Sequence, residues 1–353
     1  MAVKTDPGNY FEDFQLGQEI VHAVPRTVTA GDVALYIGLT GSRFALHSSD
    51  AFAQAIGYGK APVDDVLVFH IVFGRTVADI SLNAVANLGY AQCKFGAPVH
   101  PGDTLSARST VIGLKENSSR ETGIVYVRSV GRNQRDEIVL DYIRWVMVRK
   151  RDQAKPAPEA HVPDLAGAVA PAEFYIPPGL QMEHYDRALA GASHAWEDYA
   201  KGERIDHVDG MTLEESDHMT ATRLYQNNAK VHFNQHAEAK GRFGRRLIYG
   251  GHIISLARAL SFNGLANAFR VLAINGGRHA NPCFAGDTIY AWSEVLDVIE
   301  LPGRADLGAL RLRTIATKDT PCADFPGPDT AGKYPAEVVL DLDYAVLLPR
   351  RTV

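Results

Sequence analysis

The chain has 353 residues, 46% of them hydrophobic and 22% charged, which is the make-up of a folded soluble protein and not of a disordered or membrane-embedded one. Its formal net charge of −5 lacks the basic excess that a nucleic-acid partner requires, and no apolar run approaches the roughly 18–20 residues that span a bilayer. Three scattered cysteines without a CxxC pair, and a polar start from Met1 to Tyr10 with no export segment, point to a reducing cytoplasm without disulfides or a thiolate metal site.

In chain order, Val33 to Leu39 and Asp50 to Ile56 have helical spacing on either side of His47. Asp64-Asp65 then precedes the almost wholly apolar Val66 to Val77, a buried helix with acids at the positive end of its dipole. Four strands follow, Leu88 to Phe95, Thr104 to Leu114, Gly123 to Gly131 and Ile138 to Arg149, separated by turns such as Pro101-Gly102-Asp103. Residues 153–173 are rich in proline and alanine and read as a linker between residues 1–152 and 174–353. Phe174 to Ser193 reads as an arm lying on the second unit. That unit then repeats the first, with a helix over His252 to Phe262 and strands over Val271 to Asn275, Thr288 to Glu300, Ala309 to Thr317 and Ala336 to Leu348. Leu301 to Leu307 and Lys318 to Tyr334 read as surface loops.

The repeat is close. Tyr10-Phe11-Glu12-Asp13-Phe14 returns 185 positions later as Ala195-Trp196-Glu197-Asp198-Tyr199, and the same offset takes His47 to His232. Only this repeated residue moves protons near neutral pH. Gly250-Gly251 opens the central helix of copy two, where unpaired backbone N–H groups suit a developing thioester oxyanion, whereas copy one has Asp64-Asp65. The catalytic pocket is therefore expected in copy two. The cluster His218, His232, His236 and His252 matches no standard zinc spacing, so no metal site is assigned.

These motifs resemble the MaoC-type enoyl-CoA hydratases. The opening Tyr-Phe-Glu-Asp-Phe, the Gly-Asp-Thr turns at Gly102 and Gly286, and the histidine segments carry the likeness over nearly both copies. Gly41 to Asp50 and Asn227 to Asn234 look more narrowly like the mesaconyl-CoA hydratases within that family. The resemblance implies an α+β tandem double hot-dog: two curved antiparallel sheets, each wrapped around a long central helix. It implies reversible water addition to mesaconyl-CoA in acetyl-CoA and glyoxylate assimilation, with no cofactor beyond the coenzyme A of the substrate. It also implies no nucleic-acid or membrane partner and pairing into a homo-oligomer, a dimer of double hot-dogs.

The family's catalytic aspartate falls on Ser42 and on Asn227, and its helix-start His-Gly becomes Tyr249-Gly250 in copy two. The catalytic candidates are His232 as acid/base, Asn227 placing water, the Gly250 N–H for the oxyanion, His47 as the other copy's histidine, and Asp65 as a substitute carboxylate. His70 is a further substitute. The substrate's carboxylate calls for a cation, and Arg43, Lys230, Arg245 and Arg246, with Gly251 beside them, are the substrate-binding candidates. Two other readings stay open: a hydratase of straight-chain trans-2-enoyl-CoA, and a non-catalytic acyl-CoA-binding double hot-dog.

Overall fold

The computed structural model describes residues 4–351. Its first copy has two short strands, β1 (Glu19–Val21) and β2 (Arg26–Thr27), and four long ones: β3 (Ala84–Phe95), β4 (Thr104–Glu116), β5 (Thr122–Arg132) and β6 (Ile138–Arg149). The second copy repeats them as β7 (Arg204–Asp206), β8 (Met211–Thr212), β9 (Arg270–His279), β10 (Thr288–Glu300), β11 (Leu307–Lys318) and β12 (Val338–Pro349). The long strands run in the order β4-β5-β6-β3 and β9-β12-β11-β10, all antiparallel, and β3 pairs with β9 to make one 12-stranded sheet.

Before the long strands of copy one come α1 (Ala30–Thr40), α2 (Ala45–Ser48), α3 (Asp50–Ala55) and the central α4 (Asp65–Thr76). After the short α5 (Arg187–Ala190), copy two repeats this with α6 (Glu215–Tyr225), α7 (Lys230–Phe233), α8 (Gln235–Glu238), the central α9 (Gly250–Leu260) and α10 (Phe262–Leu265). Every residue of α4 is buried, as a helix apolar on all sides must be, and the Asp64 carboxylate caps it by accepting the Val66 N–H at 2.8 Å. This is the expected double hot-dog: two curved halves, each around one helix.

The halves interlock. Helix α4 touches α6 and α9, and α1 touches α9. A Cβ at Gly74 would lie 1.8 Å from the Tyr225 carbonyl oxygen, so only glycine lets α4 approach α6 this closely. At the same seam Ser255 Oγ receives the Tyr36 hydroxyl at 3.0 Å and meets His70 Nε2 at 2.8 Å, while the His70 ring stacks on Tyr225 at 4.2 Å. His70 is thus a core residue and no substitute for the missing acid.

Several strands run longer than expected, and the extensions of β9 and β3 matter. β9 continues through Gly276-Gly277 because these lie opposite Ala91 and Tyr90, and a Cβ at Gly277 would sit 2.9 Å from the Tyr90 ring. β3 begins at Ala84, not Leu88, held by Ala84, Ala86 and Asn87 opposite Val148, Met147 and Val146 of β6.

The arm is not confined to the second copy. Its Gln181 N–H donates to the Ile56 carbonyl at 3.1 Å, and Met182, Leu180 and Tyr185 join a cluster with Leu46 and Phe52 of copy one and Phe269 of copy two. The apolar face of α2 and α3 would otherwise meet water, so covering it is the hydrophobic gain that holds the arm. The linker is also tied down, by paired backbone bonds of 2.8 Å between His161 and Leu114 of β4.

Candidate active site

A cavity of about 410 Å³ lies at the start of α9, walled by α7 and its following loop on one side and by β3, β6 and β9 on the other. His232 of α7 opens into it. Its Nδ1 sits 2.8 Å from the Leu247 carbonyl, an acceptor only, so Nδ1 carries the proton and donates, and the lone pair lies on Nε2. The ring is enclosed by the cavity wall, and burial pushes its pKa down to about 4, against the pull of the Leu247 carbonyl. At neutral pH this is a neutral imidazole with a basic nitrogen available.

Asn227 lines the same cavity, only 2% exposed, with its Oδ1 receiving the Ala229 N–H at 3.3 Å. Gly250, the first residue of α9, also lines it; no side chain caps this helix, and while the His252 N–H donates to the Tyr249 carbonyl at 2.8 Å, the Gly250 and Gly251 N–H groups have no partner among the described residues. His218 Nε2 accepts the Tyr249 N–H at 2.9 Å and fixes where the helix begins; burial brings the His218 pKa down to about 2, reinforced by His232 and His252. A Cβ at Gly250 would lie 2.5 Å from the His279 ring. The glycine therefore makes room for a second histidine.

His279, at the end of β9, was not visible as a site residue in the sequence. Its Nε2 shares a hydrogen bond of 3.2 Å with the Tyr90 hydroxyl, and its Nδ1 is buried with no partner. Burial lowers its pKa to about 4, and the proximity of His232 adds to the shift. Tyr249, whose hydroxyl is also buried without a partner, stands 5.5 Å from the His232 ring between centroids. Among the described residues no aspartate or glutamate lines the cavity.

The corresponding region of copy one is filled. His47 Nδ1 meets the Pro62 carbonyl at 3.1 Å, so the histidine is held the same way. Asp65, 185 positions before Gly250, occupies the helix start, 3.6 Å from Arg270, and accepts the Val271 N–H at 3.0 Å. Burial raises the Asp65 pKa against the opposing pull of Arg270 and His47. Tyr58 packs here, and Tyr175 of the arm lies 5.8 Å from the Arg270 guanidinium. Asp65 is thus engaged across the seam by Arg270 and Val271 of β9 and does not line the cavity at the start of α9. Asp65→Asn is expected to lower stability by about 3–5 kcal/mol by stranding a buried guanidinium, with turnover at the other copy unchanged; denaturant unfolding and initial rates check both.

The sequence-based cations are placed elsewhere. Arg43 lies over the Phe262 ring at 4.6 Å, and Lys230 does not line the cavity although its neighbours Ala229 and Val231 do. Arg245 donates to the Ala285 carbonyl at 2.7 Å, and Arg246 pairs with Glu215 at 3.0 Å. Gly251 stands behind Gly250, where a Cβ would strike the Tyr249 ring at 2.4 Å. His218 and His252 are 6.3 Å apart between ring centres, and among the described residues no group of three or more His, Cys, Asp or Glu side chains could hold a metal ion.

A family model for mesaconyl-CoA hydratase matches residues 2–331. The chain is 65% identical over 351 residues to beta-methylmalyl-CoA dehydratase of Chloroflexus aurantiacus, covering 99% of this chain and 100% of that protein. It is 60% identical to mesaconyl-CoA hydratase of Cereibacter sphaeroides, with the same coverage. The crystal structure of a MaoC domain protein from Chloroflexus aurantiacus superposes with a TM-score of 0.97 at 65% identity, over 99% of this chain and 100% of that one.

Proposed function

The chain belongs to the mesaconyl-CoA hydratase family, and on that premise we propose that it adds water reversibly to mesaconyl-CoA (2-methylfumaryl-CoA), giving β-methylmalyl-CoA. It is a hydro-lyase acting on CoA thioesters. The observation that carries the reading is the cavity at the α9 N-terminus, with a neutral His232 whose Nε2 is available. The water oxygen bonds to the carbon β to the thioester, and Nε2 of His232 takes the water proton. The electron pair of the double bond moves toward the thioester carbonyl, where the Gly250 N–H and the dipole of α9 receive the charge. The His232 imidazolium then returns that proton to the α-carbon, the carbonyl re-forms, and the imidazole is neutral again.

Asn227 orients the water, since an amide positions but does not accept a proton. His279, linked to Tyr90, supplies the second polar partner in the cavity, where Asn227 stands in place of the family's aspartate. Water, imidazole and the substrate's own thioester suffice for these steps. No helix among the described residues is long and apolar enough to cross a membrane. We propose a cytoplasmic enzyme with a place in acetyl-CoA and glyoxylate assimilation. We expect it to work as a homo-oligomer.

Loss of the conjugated enoyl-thioester absorbance on mixing purified protein with mesaconyl-CoA tests the proposal. No loss with mesaconyl-CoA would refute it, and turnover of crotonyl-CoA alone would leave the straight-chain reading. Gly250→Ala is expected to cut kcat about 10²-fold by displacing His279 and the helix start, with an unchanged circular dichroism spectrum.

A further inference from the structure

None of the four cations chosen from the sequence lines the cavity, but two unforeseen arginines do: Arg242, exposed at the rim, and Arg144, buried in the wall. Arg144 of β6 is wholly buried, and no carboxylate lies within ion-pair distance of it among the described residues. Its Nη2 donates to Thr76 Oγ1 at 2.8 Å, and its Nη atoms approach Ser81 Oγ at 3.4 Å. The guanidinium carbon lies 4.1 Å from the centre of the Phe73 ring, and Nε is buried with no partner.

The other buried arginines do not line the cavity. Arg270 has Asp65, Arg75 donates to the Val24 carbonyl at 2.9 Å, and Arg258 donates to the Ala268 carbonyl. Arg144 reaches only neutral hydroxyls. A buried cation without a counter-ion is strongly unfavourable unless an anion arrives to pair with it.

Its surroundings suit such an anion. Arg144 stands opposite Tyr90 in the β3–β6 ladder, and Tyr90 carries His279. Asn87, also on β3 and lining the cavity, has both Oδ1 and Nδ2 buried without partners. The titratable groups facing the guanidinium are Tyr142, Tyr90 and Tyr249, all neutral at physiological pH because burial raises each of them. Nothing in the wall competes for the charge.

We propose that Arg144, assisted by the Asn87 amide, binds the free carboxylate of the enoyl-thioester substrate and thereby selects a dicarboxylic acyl chain over a monocarboxylic one. The inference rests on the hydratase reading and deepens it. In mesaconyl-CoA the carboxylate is attached to the carbon that water attacks, so an anchor beside the Tyr90–His279 pair sets that carbon against the two histidines. Pairing also offsets the repulsion between the carboxylate and the charge growing on the thioester.

The test compares kcat/KM for mesaconyl-CoA and for crotonyl-CoA, which lacks the carboxylate. Arg144→Met is expected to lose about 10²- to 10³-fold with mesaconyl-CoA, as for truncating one partner of a buried charge pair, and to keep or raise its rate with crotonyl-CoA. Arg144→Lys should recover part of the loss. Asn87→Ala, the milder change, should lose about 10-fold selectively and serves if the methionine variant does not fold. With wild-type enzyme, methylsuccinyl-CoA should inhibit far more strongly than 2-methylbutyryl-CoA. Equal losses with both substrates in folded variants, or a selective loss in Arg242→Met (the exposed arginine at the cavity rim) but not in Arg144→Met, overturn the proposal. A wild-type protein inert toward mesaconyl-CoA removes the hydratase reading itself, whereas an active wild type with unselective variants removes Arg144 alone.

Discussion

Replacing His232 by glutamine is expected to lower kcat for hydration about 10³-fold, the loss of one general base and about 4 kcal/mol of transition-state stabilisation. Glutamine keeps a polar group of similar size but has no basic nitrogen. His47→Gln, by contrast, should change kcat less than about twofold, because the region around His47 is closed by Asp65, Arg270 and the arm. Initial rates for both variants, with matched circular dichroism, decide the matter. Similar losses from the two substitutions would mean that both copies turn over substrate. The acid limb of the wild-type pH–rate profile should follow the depressed His232 pKa, so the rate should hold from neutrality down to where the protein itself unfolds.

That unfolding is the second large effect. His70, His207, His218 and His252 are fully enclosed, with pKa values well below the ordinary one for His70, about 4 for His207 and His252, and about 2 for His218. Burial is the leading cause in each case. The folded chain therefore refuses protons that the unfolded chain accepts below about pH 6.5, so stability is full above that pH and falls as pH drops toward 4. Each such histidine removes on the order of 2 kcal/mol by pH 5; His232 and His279, which meet the cavity, remove less. Urea unfolding should show a nearly constant midpoint from pH 8 to 6.5 and a steep fall from 6.5 to 5. A flat profile down to pH 5 would show that these imidazoles take up protons in the folded state.

Much of the architecture is legible in the residues. The 185-residue offset marks two copies, the run Val66 to Val77 has no polar face and must be buried, and β-branched alternation marks the long strands to within a few residues. The misses are local. Gly276-Gly277 looks like the end of a strand, and only the Tyr90 ring packed across it explains why β9 continues to His279. The candidate site shows the same division. His232, Asn227 and Gly250 lie within 24 positions of one another, so the repeat finds them together. Arg144, Asn87 and His279 belong to different copies and strands, and no local pattern distinguishes Arg144 from Arg149, the other arginine of β6.

The sequence by itself determined that there are two copies, that each wraps a buried helix, and that copy two carries glycines where a thioester oxyanion would be received. Those features are local, written in periodicity, in glycine and in one repeated histidine. Only the tertiary structure brings His279 beside His232 in a cavity that no carboxylate lines among the described residues, and puts the buried Arg144 in its wall. The reason is physical: β3 pairs with β9 across the seam, bringing one copy's arginine and asparagine to the other copy's histidines. The value of a buried charge then depends on which groups surround it, and the sequence does not display that.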